Sequence, residues 1–224
     1  MKSEGLQVLV VGTGRCGTGF LSHSLERSGF TCGHEAIFNH WDEEKVRQRY
    51  IASTLSAEAS WAAAPFLGAD WLDPAVKVIH LTRSPLEVIK SFHDINFFSD
   101  QRVHKPLNQL VYRNTSIRAE TQRRLESAVT HYYEWNALIR DSLQACGRPA
   151  ISIRLEDVVS NAKAAHDLSE FLGVAFSPVS SVVNPKTAEK AVHEDMAFDP
   201  AVALDLMRIA SSIHGDFGYP LPRS

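Results

Sequence analysis

Continuous apolar runs, each followed by a segment of helical period, organise the chain. The first run, "LQVLVVG" (residues 6–12), is stopped by glycine, as a strand buried on both faces of a parallel sheet requires. Behind it, "TGFLSHSLERSG" predicts a helix ended by Gly29 as a left-handed cap. "FTCG" reads as a short second strand and "DEEKVRQRYIASTL" as a polar-faced helix. "VKVIHLT" (Val76–Thr82) is the second clear buried strand. "SPLEVIKSFHDI" carries a helix-start signature, with Ser84 as cap, Pro85 at the first helical position and Glu87 completing a capping box. A polar stretch over 98–118 leads into the helical "ETQRRLESAVTHYYEWNALIRDSL", whose Tyr132 and Trp135 fall at core spacing. "PAISIRLEDV" is the third strand, with Leu155 also assigned to the core. "NAKAAHDLSEFLG" is a helix stopped by Gly173, residues 174–198 are irregular, and a last helix covers about 199–213. Alternation of buried strands with helices predicts an α/β fold, a mainly parallel sheet flanked by helices on both faces. No stretch reads as a linker, so one domain over 1–224 is expected.

Composition narrows the class. The chain has 224 residues, 44% hydrophobic and 22% charged, with a net charge of −3. That charge argues against a global grip on nucleic acid and leaves room for a local basic pocket holding a small anion. Cys16, Cys32 and Cys146 form no CxxC pair and leave one over, which points to a reducing compartment. The N-terminus does not read as a signal peptide, and no apolar run is long enough to span a membrane. A cytoplasmic protein without membrane insertion is expected.

The chemistry concentrates in "GTGRCGTGFL", where the first strand breaks into three glycines within six positions, Gly12, Gly14 and Gly17, with an arginine among them. A glycine-rich turn at a helix N-terminus presents backbone N–H groups and a positive dipole to an oxyanion. Gly12, Gly14 and Gly17 fit a dinucleotide fingerprint, with Glu35 about 20 residues on as the ribose-binding acid. Gly12 and Gly17 also fit a kinase or NTPase phosphate loop, except that Thr18 stands where its lysine belongs. A plain tight turn is a third reading, and it leaves Arg15 unexplained.

The same segment resembles the 5′-phosphosulfate loop of the sulfotransferases that use 3′-phosphoadenosine 5′-phosphosulfate (PAPS). In those loops a cation stands two positions before a glycine followed by threonines, and Arg15, Gly17 and Thr18 match. Gly19 departs, where many members carry a second hydroxyl residue. "VIHLTRSPLEVIKSF" is similar to the family's 3′-phosphate motif, an arginine ending a strand and a serine eight residues later, here Arg83 and Ser91. A guanidinium at a strand's carboxyl end can hold a phosphate bidentately in the crevice where open α/β sheets bind ligands. "HYYEWNALI" and "FLGV" are weaker likenesses, and the resemblance extends discontinuously over about residues 6–175.

The resemblance implies a P-loop NTPase-like three-layer architecture, with PAPS as donor, 3′-phosphoadenosine 5′-phosphate (PAP) as product, and no metal. Gly14, Arg15, Cys16, Gly17, Thr18, Gly19, Arg83 and Ser91 would bind the donor. Arg15 would also stabilise the leaving phosphate's charge. Glu35 would accept the acceptor's proton, with His93 as runner-up and His34 adjacent. Neighbours in an extended segment face opposite ways, so only one of His34 and Glu35 is expected to reach the acceptor. Arg15 precedes Cys16, the reverse of the cysteine-to-arginine order that a cysteine phosphatase loop needs. Residues 97–125 mix aromatic and cationic groups and are expected to form a lid over a small-molecule or carbohydrate hydroxyl acceptor. A nucleotide-binding P-loop kinase-like enzyme and a PAP-binding regulatory module without catalysis remain the alternatives.

Overall fold

The computed structural model describes residues 5–95, 97–98, 121–180 and 198–221. Five strands form one sheet: β1 (Val8–Val11), β2 (Cys32–His34), β3 (Ala57–Ala59), β4 (Lys77–Thr82) and β5 (Ala150–Arg154). Their order is β2-β3-β1-β4-β5, and every pairing is parallel. The α/β fold expected from alternating strands and helices is the one observed. β1 is buried at all four positions and β4 at five of six, which is why both read as unbroken apolar runs.

The helices are α1 (Thr18–Arg27), α2 (Glu43–Ala52), α3 (Pro85–Asp94), α4 (Thr121–Cys146), α5 (Leu155–Ser160), α6 (Ala162–Leu172) and α7 (Pro200–His214), with a 3₁₀ turn over Trp61–Phe66. Their ends follow local chemistry. Gly29, one residue past the C-cap of α1, takes φ 98°, and Gly173 closes α6 at φ 79°. Asp42, Asn161 and Asp199 cap α2, α6 and α7 by accepting backbone N–H bonds. The expected capping box at α3 lacks its serine half. The Ser84 hydroxyl makes no cap bond, and the start rests on Pro85, whose ring presets the helical φ. The strand expected to run on through "LEDV" ends at Arg154, because Leu155 opens α5 and Arg154 turns back to pair with Asp157 at 2.7 Å.

The chain divides into two compact units, residues 1–83 with 138–183 and residues 84–137 with 184–224. The first holds the whole sheet, with α1 packed on β1, β2 and β3. Its core joins Leu9, Val10, Leu21, Leu25, Ile79 and Leu81, all fully buried. In the second unit α3 packs against α7. There Phe92 meets His131 edge-on with ring centres 5.1 Å apart, and Phe97 and Phe98 pack on Phe92. Tyr132 and Trp135 are wholly buried, as their spacing implied. Residues 99–120, most of the expected acceptor lid, lie outside the described residues.

Candidate functional site

Strand order places the site. β1 lies between β3 and β4, and the chain leaves β1 towards β2 and β3 on one side and later takes up β4 and β5 on the other. Open α/β sheets bind ligands at the carboxyl ends of strands where the order reverses. The segments at that point are the β1–α1 loop and the end of β4.

The loop is shaped by its glycines. A Cβ on Gly12 would come within 2.5 Å of the Leu81 carbonyl oxygen and would also overlap Cys16 Sγ, so only glycine lets the loop lie against β4. A Cβ on Gly17 would stand 2.8 Å from Leu155 Cδ2, which places the half-buried Leu155 against the loop rather than in the core. Gly14, Arg15 and Gly17 take φ 76°, 56° and 102°, and the first turn of α1 follows directly. The first N–H groups of that helix have no partner within it and carry its positive dipole.

Two arginines converge here. Arg83, the residue after β4, donates from Nη1 to the Arg15 carbonyl at 3.1 Å. The Arg15 guanidinium is half-buried, and its pKa is lowered first by burial and then by the positive charge of Arg83. Like charges held together in a partly desolvated place repel each other, and an anion bound beside Arg15 would relieve that cost. The arginine-to-glycine spacing and the strand-end arginine, met far apart in the sequence, thus meet in space.

At the carboxyl end of β2, Thr18 Oγ1 lies 3.1 Å from His34 Nε2, joining the start of α1 to β2. A Cβ on Gly19 would meet the same imidazole at an ordinary 3.8 Å, so the ring stands beside the position where a second hydroxyl was expected. Glu35 is half-buried and takes φ 56°. That left-handed turn breaks the extended backbone on which the alternation of His34 and Glu35 was predicted, so the rule of opposite faces does not apply to the pair. Ser91 and His93 lie on α3, in the second unit. His93 packs edge-on to Phe198 with ring centres 5.5 Å apart.

Cys16 contributes no reactive thiol. Its side chain is wholly buried, and burial pushes its pKa up to about 11. Iodoacetamide at pH 8 is expected to alkylate the half-buried Cys146 in the native protein and to leave Cys16 unmodified. Labelling at Cys16 as fast as at Cys146, read by peptide mass, would show the loop open to solvent.

Sequence reasoning missed Glu58. It sits at the centre of the three-residue β3, fully buried, with its pKa raised chiefly by burial. The signal in the sequence was slight, a lone Glu between alanines in "AEA".

Neither a protein-family model nor a curated protein sequence matches the chain. Strand order does discriminate between the sequence readings. A Rossmann half sets β2 beside β1, with order 3-2-1-4-5-6, so that an acid ending β2 reaches the ribose of the nucleotide on β1. Here β3 separates β2 from β1, and the Glu35 N–H bonds to Ala59 of β3 at 3.0 Å. Glu35 is not placed as a ribose acid of that kind. Among the described residues, no helix is long and apolar enough to cross a membrane.

Proposed function

We propose that the chain is a PAPS-dependent sulfotransferase on a P-loop-like scaffold, acting on a small-molecule or carbohydrate hydroxyl. The observation that carries this reading is the convergence of Arg15 and Arg83 at the reversal point, beside the N-terminus of α1. A dinucleotide site has no need of two neighbouring arginines, and a nucleoside triphosphate site of the usual kind has a lysine where Thr18 stands. A phosphosulfate and a 3′-phosphate are anions that such a pair can bind. Three free cysteines suit the cytoplasm as its place of work.

The transfer breaks the bond between sulfur and the 5′-phosphate oxygen and forms one between sulfur and the acceptor oxygen. The electron pair stays on the phosphate and the hydroxyl proton leaves. In this assignment Arg15 and the amides of the loop take up the charge on the departing phosphate. Arg83 holds the 3′-phosphate. Glu35 receives the proton. Thr18, tied to His34, fixes the first turn of α1 against β2.

The direct test is thermal melting with PAP, ATP and NADH in turn. PAP at 100 times its Kd is expected to stabilise by about 2.7 kcal/mol, with no comparable shift from NADH. Stabilisation by NADH alone would return the fingerprint to a dinucleotide. A second expectation concerns Arg83→Ala. It should weaken PAP far more than adenosine 5′-phosphosulfate, which lacks the 3′-phosphate, since each charge-assisted bond is worth about 1.5–3 kcal/mol. Equal weakening of both ligands, measured by calorimetry, would remove Arg83 from the 3′-phosphate.

A further inference from the structure

We propose that Glu58 is a positioning residue for Glu35, gripping from β3 the turn that carries it. Glu58 Oε1 accepts the N–H of Ala36 at 2.7 Å and that of Ile37 at 3.0 Å. On one side of these contacts the Glu35 N–H donates to the Ala59 carbonyl at 3.0 Å, and on the other the Ser60 hydroxyl donates to the Phe38 carbonyl at 2.7 Å. Three consecutive residues, 58 to 60, therefore hold four consecutive residues, 35 to 38. Glu35 itself is in the left-handed region at φ 56°, a conformation that a non-glycine residue keeps only when its surroundings impose it. The grip imposes it.

Two features mark this carboxyl group as more than filling. A carboxyl at the fully buried centre of a strand is costly unless it is hydrogen-bonded, and an apolar residue would complete the strand without that cost. Among the described residues Glu58 Oε2 nevertheless has no hydrogen-bond partner, so the turn's backbone amides are what hold the group, those of Ala36 and Ile37 at Oε1. Room is also made for it. A Cβ on Gly33 would overlap Oε2 and Leu55 Cδ1, so glycine on β2 leaves the space that the carboxyl group occupies. The Glu35 carboxylate is in turn close enough to raise the Glu58 pKa, although burial is the larger cause.

The inference rests on Glu35 accepting the proton in sulfuryl transfer, and its test separates the two claims. Glu58→Ala and Glu58→Gln would be made in the full chain. Hydrogen exchange at the Ala36 and Ile37 amides, read by NMR, tests the grip without any reaction. In Glu58→Ala both amides should exchange about tenfold faster or more, the factor of one net hydrogen bond. Glu58→Gln keeps an oxygen acceptor and should keep the protection.

Single-turnover transfer from PAPS to 2-naphthol or a glucosamine oligosaccharide tests the consequence. Glu58→Ala should lower kcat about 10²-fold, as misplacement of a reacting group by an ångström does, with KM for PAPS and PAP affinity unchanged. Glu58→Gln should recover most of the rate. A general structural role would move PAP affinity as well. Should Glu58→Ala fail to bind PAP, Glu58→Asp replaces it, with one methylene too few to reach both amides, and the same result is expected. Unaltered kcat in the truncated variant, or unaltered amide exchange, overturns the proposal. If the parent transfers no sulfuryl group, the sulfotransferase reading falls, and amide exchange alone then decides whether Glu58 sets the turn.

Discussion

Arg15→Ala is expected to lower the single-turnover rate of sulfuryl transfer by about 10²–10³, the usual loss on removing one preorganised donor aimed at developing negative charge. Its effect on the stability of the protein without ligand should be small. Arg15 and Arg83 are like charges brought together where Arg15 is half-buried, and Arg83 lowers the Arg15 pKa. Deleting the Arg15 side chain removes that repulsion. It leaves the backbone strain as it was, since alanine at φ 56° is no more comfortable than arginine. The Arg15 carbonyl that accepts from Arg83 is also untouched. The melting temperature of the ligand-free variant should therefore change little, the lost repulsion offsetting the side chain's other contacts, while the shift produced by PAP should shrink. Arg15→Lys keeps the charge but loses the planar fork, and its rate should lie between the two. A variant that melts lower yet transfers at the parent's rate would make Arg15 a loop stabiliser and nothing more.

What the sequence revealed and what it concealed follow from how local each cause is. β1 and β4 were legible because strands buried on both faces need unbroken apolar runs, and a run can be seen without neighbours. β3 was not. Three residues with a glutamate in the middle carry no period, and what makes "AEA" a strand is its pairing with both β1 and β2. The same strand then decides the site. Its insertion between β1 and β2 separates this fold from a Rossmann half, and no local pattern encodes strand order. Among the candidate residues, Arg15 and Arg83 were picked out by the likeness of their segments, "GTGRCGTGFL" and "VIHLTRSPLEVIKSF", to sulfotransferase motifs. Glu58 could not be found that way. Its partners are the amides of Ala36 and Ile37, 22 and 21 positions away, and backbone groups leave no mark in a sequence. Glycines were legible as a pattern, whereas their reasons, the Leu81 carbonyl behind Gly12 and Leu155 over Gly17, belong to the folded state. The capping box at Ser84 shows the converse. The residues of the motif are all present, and the hydroxyl makes no cap bond.

Glu35→Gln is expected to have the largest effect of any single change. It keeps size and polarity and removes the proton acceptor, so turnover should fall by about 10²–10⁴, the usual share of general base catalysis. Binding of PAP should be nearly unchanged, because the proposed donor site comprises the β1–α1 loop and Arg83, and Glu35 belongs to the turn after β2. The turn itself should survive the change. It is held through the backbone of residues 35 to 38 by Glu58, Ala59 and Ser60, none of which needs the Glu35 side chain. The loss should be larger for an alkyl alcohol than for an acidic phenol, whose proton departs more readily. Two measurements, PAP affinity and single-turnover rate, separate the possible roles. A fall in PAP affinity would place Glu35 against the donor. An unaltered rate with both acceptors would take it out of the mechanism, and His93→Ala on α3 would then be the variant expected to lose turnover.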